Sequence, residues 1–152
     1  MTKTCMARAL YFAYGSNLDR EQMRARCDTA ELHTRAILRE HALAFTGHSR
    51  RWAGPVATVV PSRNAIVEGL LYILGAADLR SLDRHEGHPL VYRRTRLRVT
   101  DEHGRELRAE VYVQRARRPG VPSPDYARVL RRAYQRLGFD ARSLAASAEV
   151  VS

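Results

Sequence analysis

The chain has 152 residues, of which 45% are hydrophobic and 28% charged, a composition typical of a single soluble globular domain. No apolar run approaches the roughly 20 residues of a transmembrane helix, and the N-terminal residues lack the apolar core of a secretory signal. These features predict a cytoplasmic protein with no membrane partner. The two cysteines, Cys5 and Cys27, are too few for a disulfide framework or a zinc site, so we interpret both as free thiols.

The formal net charge of +10 is the kind of balance that favours nucleic acid as a partner. Lys3 is the only lysine, however, and the arginines are spread along the chain instead of massed in one segment. None of the arginine pairs is interleaved with the aromatic residues that single-strand binders use for stacking. The pattern argues against nucleic acid, which stays open as an alternative partner.

The first predicted element is a buried strand at residues 11–14, which ends in a tight turn. Gly15 permits a sharp exit, and Ser16 and Asn17 favour turns because their side chains bond to the local backbone. Asp19 as N-cap, with Gln22 three residues later, predicts a helix from Asp19 to about Cys27.

This strand, turn and helix start would leave several backbone N–H groups unpaired and pointing one way. Such a nest suits an anion or a developing oxyanion. A purely structural turn uses the same residue types, so both interpretations stay open at this point.

The middle of the chain is predicted to be mostly β-structure. Residues 30–45 are ambiguous but favour strands, and residues 46–55 have the glycine and proline content of a loop. Residues 56–60 and 66–74 are β-branched and apolar, so they predict a hairpin joined by a turn at residues 61–64.

The second half alternates helices and strands. We predict helices at residues 76–87 and 123–137 and strands at residues 92–100 and 107–113. Arginine and glutamate alternate on the outer face of the two strands, which predicts cross-strand ion pairs. The sum is one α+β (mixed α/β) domain over residues 8–147, with tails at residues 1–7 and 148–152.

Glu86 is the acidic residue most suggestive of chemistry, because it ends a helix directly before Gly87. The helix dipole disfavours a carboxylate there and would raise its pKa toward that of a general base near neutral pH. A surface glutamate before a glycine cap is the alternative interpretation. His85 and His88 flank Glu86 without a third ligand nearby, so we predict no metal site.

Three tyrosines, Tyr14, Tyr92 and Tyr126, are either core aromatics with a polar tip or hydroxyl donors into a pocket. Ser16 does not lie in a G-x-S-x-G elbow, and the sequence has no evident triad partners, P-loop or dinucleotide-binding fingerprint. Nucleophilic catalysis and nucleotide chemistry therefore have no support.

The motif Y-F-A-Y-G-S-N-L at residues 11–18, followed by L-D-R-H-E-G at residues 82–87 and by Tyr92, resembles the γ-glutamylcyclotransferase family. Residues 54–59, 68–72 and 122–126 resemble the same family. The resemblance covers roughly residues 8 to 145.

The resemblance implies a small mixed β-barrel flanked by helices, with a cavity at its mouth and no cofactor. It implies that a small-molecule γ-glutamyl amide is cyclised to 5-oxoproline, with release of an amine or amino acid, and it associates the chain with glutamyl and glutathione metabolism. Glu86 would be the catalytic residue, taking a proton from the α-ammonium and giving one to the leaving nitrogen. The substrate-binding residues would be Tyr14, Gly15, Ser16, Asn17, Leu18, Tyr92 and Tyr126.

The leaving group is open, because residues 50–55, 88–91 and 115–122 would shape its side of the pocket. The related enzymes act on γ-glutamyl amino acids, γ-glutamyl amines, or γ-glutamyl protecting groups in antibiotic assembly. Arginine-rich loops would suit an acidic or phosphate-bearing leaving portion, such as a carrier-linked acyl group. A non-catalytic basic binding module is the alternative class, and the family likeness allows a homodimer.

Overall fold

Five β-strands close into a barrel in the computed structural model, which describes residues 8–115 and 118–144. The strands are β1 (Ala9–Ala13), β2 (Glu31–Ser49), β3 (Gly54–Leu74), β4 (Tyr92–Asp101) and β5 (Glu106–Gln114). Their order around the barrel is β1-β3-β2-β4-β5, and β5 closes onto β1 through a parallel pairing of Glu110 with Tyr11. The predicted α+β barrel is confirmed. The predicted tails and Cys5 lie outside the described residues.

The α-helices that flank the barrel end at local capping signals. They are α1 (Arg20–Arg26), α2 (Ala76–Glu86) and α3 (Pro124–Leu137). Asp19 caps α1 by accepting from the Glu21 N–H at 3.1 Å, and Ser123 caps α3 in the same way. Gly87 ends α2 in the left-handed conformation, at φ 66°. No helix among the described residues has the length and apolar character needed to span a membrane.

The long β2–β3 ribbon corrects the prediction of a hairpin turn at residues 61–64. β3 runs through this segment without reversing, and its register against β2 shifts between the pairs Arg39 with Ile66 and His41 with Pro61. The extra residues form a bulge, in which the Asn64 N–H donates to Glu40 Oε2 at 3.0 Å. The strand continues because β2 pairs with it on both sides of the bulge. The predicted loop at residues 46–55 is likewise reduced to a short turn, since Ser49 pairs with Gly54.

Cross-strand ion pairs between β4 and β5 are confirmed: Arg98 pairs with the exposed Glu106, and two arginines pair with the buried Glu110. Arg94 Nη1 lies 2.6 Å from Glu110 Oε1, and Arg96 Nε lies 2.9 Å from Glu110 Oε2. The Glu110 side chain is only 8% exposed. Arg94 also pairs with Asp83 of α2, at 3.0 Å, so the network links the helix to the barrel.

At Gly69, the backbone of β1 lies too close to β3 to leave room for a side chain. A Cβ at this position would lie 2.4 Å from the Ala13 carbonyl oxygen and 2.6 Å from the Phe12 ring. Because the carbonyl is backbone and cannot swing away, we expect Gly69→Ala to lower the free energy of unfolding by about 1–3 kcal/mol. Urea unfolding followed by circular dichroism measures this loss.

The matched control is Gly75→Ser, because a Cβ at Gly75 meets nothing within 4 Å. Gly75 is also the N-cap of α2, where a serine hydroxyl can accept from the first helical N–H groups. The control should keep or gain stability. Equal losses in the two variants would contradict the steric argument.

Candidate active site

A cavity of about 430 Å³ opens where the loop after β1, the end of α2 and the start of α3 meet. The side chains and loop residues expected to form the site converge on it from four elements, although they are far apart in the sequence. The predicted residues that line the cavity are Tyr14, Gly15, Ser16, Asn17, Glu86, Tyr92 and Tyr126.

Leu18 is the predicted site residue that does not line this cavity. Its side chain is buried in the core at 2% exposure, and its N–H donates to the Gly15 carbonyl at 3.0 Å within a short 3-10 turn, Ser16–Leu18. The Leu18 N–H is therefore occupied by a hydrogen bond within the loop and is not free for a ligand. The residues of this loop that line the cavity are Gly15, Ser16 and Asn17.

Side chains from α1 fix the conformation of the loop. Gln22 Nε2 donates to Ser16 Oγ at 2.8 Å and to Asn17 Oδ1 at 2.9 Å. Asn17 Nδ2 in turn donates to the Tyr11 hydroxyl at 2.8 Å. This corrects the expected capping box, since Gln22 bonds to the loop side chains and not to the backbone of Asp19. The loop is consequently held in place before any ligand binds.

The tyrosine hydroxyls are bonded into the cavity wall. Tyr14 donates to the Tyr112 carbonyl at 2.5 Å, and Tyr92 donates to the Ala57 carbonyl at 2.6 Å. The Tyr126 hydroxyl accepts from the Ala57 N–H at 2.9 Å, which leaves its own proton for donation. Tyr14 and Tyr92 thus form part of the cavity wall with their hydroxyl protons already used. Tyr126 also lines the cavity, and its hydroxyl proton is not used in the bond to Ala57.

Glu86 is a partly buried carboxylate in this wall. Burial raises its pKa from 4.5 to about 7, and the opposite charge of Arg26 counteracts only part of that rise. The direction of the shift agrees with the prediction, but its main cause is desolvation and not the helix dipole. No hydrogen bond from a described residue contributes to it. The carboxylate is therefore suited to exchange protons near neutral pH.

Asp83, one turn before Glu86, anchors the helix to the barrel. Its Oδ1 accepts from the Tyr112 hydroxyl at 2.6 Å and from Arg94 Nε at 3.0 Å. Arg94 also reaches Glu110, as described above. These bonds set the position of the α2 end and hence of Glu86.

The two histidines beside Glu86 have separate hydrogen bonds. His85 Nδ1 lies 3.0 Å from the Ser81 carbonyl, and His88 Nδ1 accepts from the Arg94 N–H at 3.0 Å. Within residues 8–115 and 118–144, no three potential ligands among His, Cys, Asp and Glu gather in a metal-binding arrangement.

Sequence reasoning missed several residues of the cavity. Tyr11 and Tyr112 lie in strands, where an aromatic residue usually indicates core packing, and Arg26 has no local feature that separates it from the other arginines. The only available signal was the position of Tyr11 in the Y-F-A-Y-G-S-N-L motif. The lining residues not predicted for the site include Tyr11, Arg26, Trp52, Tyr112 and Gln114.

Comparison with known proteins agrees with the geometry. The family model described as "Gamma-glutamyl cyclotransferase, AIG2-like" matches residues 11–128. The chain is 32% identical over 126 residues to the mouse gamma-glutamylcyclotransferase, and the match covers 80% of this chain and 67% of the mouse protein. The human gamma-glutamylcyclotransferase is 31% identical over the same length and coverage. A solved gamma-glutamyl cyclotransferase structure superposes with a TM-score of 0.83 at 28% identity, covering 90% of this chain and 83% of that chain.

The barrel is thus that of the cyclotransferase fold. The chain belongs to the gamma-glutamyl cyclotransferase, AIG2-like family. Its likeness to the mouse and human enzymes supports the gamma-glutamylcyclotransferases as its class of enzyme.

The raised pKa of Glu86 has a consequence for stability. Because the folded-state pKa lies above the unfolded value, the unfolded chain loses the Glu86 proton first, and stability falls as the pH rises from about 4.5 to about 7. Glu86→Gln stays neutral, so we expect it to unfold with a free energy higher than wild type by on the order of 2–3 kcal/mol at pH 8.

The advantage of Glu86→Gln should shrink as the pH falls and vanish below about pH 4.5, where wild-type Glu86 is protonated in both states. Urea unfolding of both proteins at several pH values measures the difference. A gap that does not change with pH would contradict the assignment of the raised pKa to Glu86.

Proposed function

We propose that this protein cyclises γ-glutamyl amides to 5-oxoproline and releases the attached amine or amino acid, with Glu86 as general acid and base. The observation that carries the proposal is the Glu86 carboxylate, whose pKa is raised to about 7 by burial in a cavity that the Gly15–Asn17 loop also borders. A group of that pKa is half ionised near neutral pH, so it can both accept and return a proton.

The reaction joins two groups of one molecule. Glu86 takes a proton from the α-ammonium of the glutamyl group, and the freed amine attacks the γ-carbonyl carbon. The C–N bond to the leaving group then breaks, and protonated Glu86 gives its proton to the leaving nitrogen. The attacking nitrogen then passes its second proton, through Glu86, to the released amine and becomes the ring N–H of 5-oxoproline, so Glu86 ends the cycle ionised.

The remaining demands on the protein are positioning and charge stabilisation. Closure of a five-membered ring draws on effective molarities of ~10⁵ M or more for well-oriented groups. The N–H groups of the loop and the Tyr126 hydroxyl are candidate donors to the developing oxyanion. Tyr126 suits this role because its oxygen would lie only 3.5 Å from a Cβ at Gly15. No covalent enzyme intermediate is required.

Glu86→Gln tests the catalytic assignment. The amide keeps the size of the side chain but cannot take the ammonium proton, so we expect kcat to fall by about 10²- to 10⁴-fold. Release of 5-oxoproline from γ-glutamyl dipeptides and γ-glutamyl amines measures turnover, and titration with 5-oxoproline measures binding, which should persist.

Glu21→Gln is the matched control, because Glu21 is an exposed carboxylate on α1 outside the cavity. In wild type, kcat/KM should fall as the pH drops through about 7, since Glu86 must be ionised to act as base. Near-normal turnover by Glu86→Gln would refute its role. An absence of turnover in wild type on every amide would favour a binding module instead.

The positive charge at the mouth of the cavity favours substrates whose leaving portion is anionic. Arg50, Arg51 and Arg84 are exposed and line the cavity, whereas Glu86 is the only carboxylate among the described lining residues. A leaving portion with negative charge would gain from this field. This charge supports the alternative substrate class, a γ-glutamyl group on a phosphate-bearing carrier.

Leaving groups of different charge test this preference. We expect kcat/KM to rank γ-glutamyl-aspartate above γ-glutamyl-alanine and γ-glutamyl-lysine, by about tenfold at low salt, and the ranking to weaken as salt screens the arginines. The double variant Arg51→Gln/Arg84→Gln should reduce the ratio, while Arg39→Gln, an exposed arginine of β2 outside the cavity, should preserve it. A ratio insensitive to the double variant would exclude this basis for selectivity.

A further inference from the structure

Arg26, the last residue of α1, is a partly buried cation in the cavity wall with few partners. Its Nη1 donates to Asn17 Oδ1 at 3.1 Å, and its Nε is buried with no hydrogen-bond partner among the described residues. A guanidinium carries five N–H donors. A buried donor left unpaired costs free energy, so this arrangement calls for a functional explanation.

The position of Arg26 is tied to the helix that carries Glu86. The Ser81 hydroxyl of α2 donates to the Arg26 carbonyl at 2.6 Å, which links the end of α1 to α2. The Arg26 charge acts on Glu86 electrostatically, yet Arg26 takes part in none of the direct ion pairs found among residues 8–115 and 118–144. The cavity wall therefore holds a partly buried cation and a partly buried carboxylate that interact electrostatically but do not form a direct ion pair.

We propose that Arg26 binds the α-carboxylate of the glutamyl group while Glu86 faces the α-ammonium on the same carbon. The inference rests on the proposed function and names the residue that recognises the part common to every γ-glutamyl substrate. A guanidinium suits a carboxylate because its donors form a planar fork. Holding the α-carboxylate orients the adjacent amine toward the γ-carbonyl carbon.

The assignment separates two kinds of specificity. Arg26 recognises the glutamyl side of the amide, whereas the exposed arginines at the mouth act on the leaving side. It also makes a γ-aminobutyryl amide, which has the amine and carbonyl but lacks the α-carboxylate, a poor ligand. A purely structural Arg26, which only bonds to Asn17, would not discriminate between these two acyl groups.

The test compares two ring compounds that differ only in this carboxylate, 5-oxoproline and 2-pyrrolidinone. Their dissociation constants are measured by NMR titration of wild type, Arg26→Gln, Arg26→Lys and Arg24→Gln. Arg24→Gln is the matched control, because Arg24 is an exposed arginine of the same helix outside the cavity.

We expect Arg26→Gln to weaken 5-oxoproline binding by roughly 10- to 100-fold and to leave 2-pyrrolidinone binding unchanged. Arg26→Lys should recover part of the loss, and Arg24→Gln should match wild type. Equal weakening of both compounds, or no weakening of either, would overturn the assignment, the first by indicating a structural role alone.

Turnover measured on the same proteins keeps the two proposals apart. Wild type that releases 5-oxoproline, while Arg26→Gln still discriminates between the two compounds, would refute the role of Arg26 and leave the cyclotransferase function standing. Wild type that binds 5-oxoproline through Arg26 but releases none from any γ-glutamyl amide would refute the function and leave the carboxylate site standing.

Discussion

A carboxylate kept partly out of water is the constraint on which this site depends. Glu86 gains its raised pKa from burial, so its chemistry persists only while α2 stays pressed against the barrel. The bonds from Asp83 to Arg94 and Tyr112, and from Arg94 to the buried Glu110, supply that attachment. Removing one partner would leave a charge uncompensated at the interface, a far larger penalty than the loss of a surface ion pair.

Hydrogen bonds to the backbone hold the tyrosine side chains of the cavity wall in place. Ala57 of β3 uses both its backbone groups on tyrosines, accepting from Tyr92 and donating to Tyr126. Tyr14 is bonded to backbone in the same way. The hydroxyl protons of Tyr14 and Tyr92 are used in these bonds, and no hydrogen bond to the Glu86 carboxylate offsets the effect of its burial on the pKa. The raised pKa and the shape of the cavity are thus two results of one packing arrangement.

Local signals in the sequence predicted the helices well, because Asp19, Ser123 and Gly87 act within a few residues of themselves. Glu86 was identified from its place at the end of a helix, but burial is the main cause of its raised pKa. That burial is set by strands remote in sequence, so no local pattern reports it. The segment at residues 61–64 was misjudged because its composition suits a turn, while the pairing of β2 on both sides decides its path. Arg26 could not be singled out by any local pattern.

The bulge opposite Glu40 divides β3 into two segments, each of which pairs with β2. It is exposed, and it lies roughly 15 Å or more along β3 from Ala57 at the cavity. Changes in chain length at the bulge need not disturb the hydrogen bonds of the tyrosine hydroxyls in the cavity wall, since pairing with β2 resumes on either side. The fold can therefore lengthen, shorten or decorate the bulge during divergence, and a fluorophore or affinity tag can be attached there, while the cavity keeps its geometry.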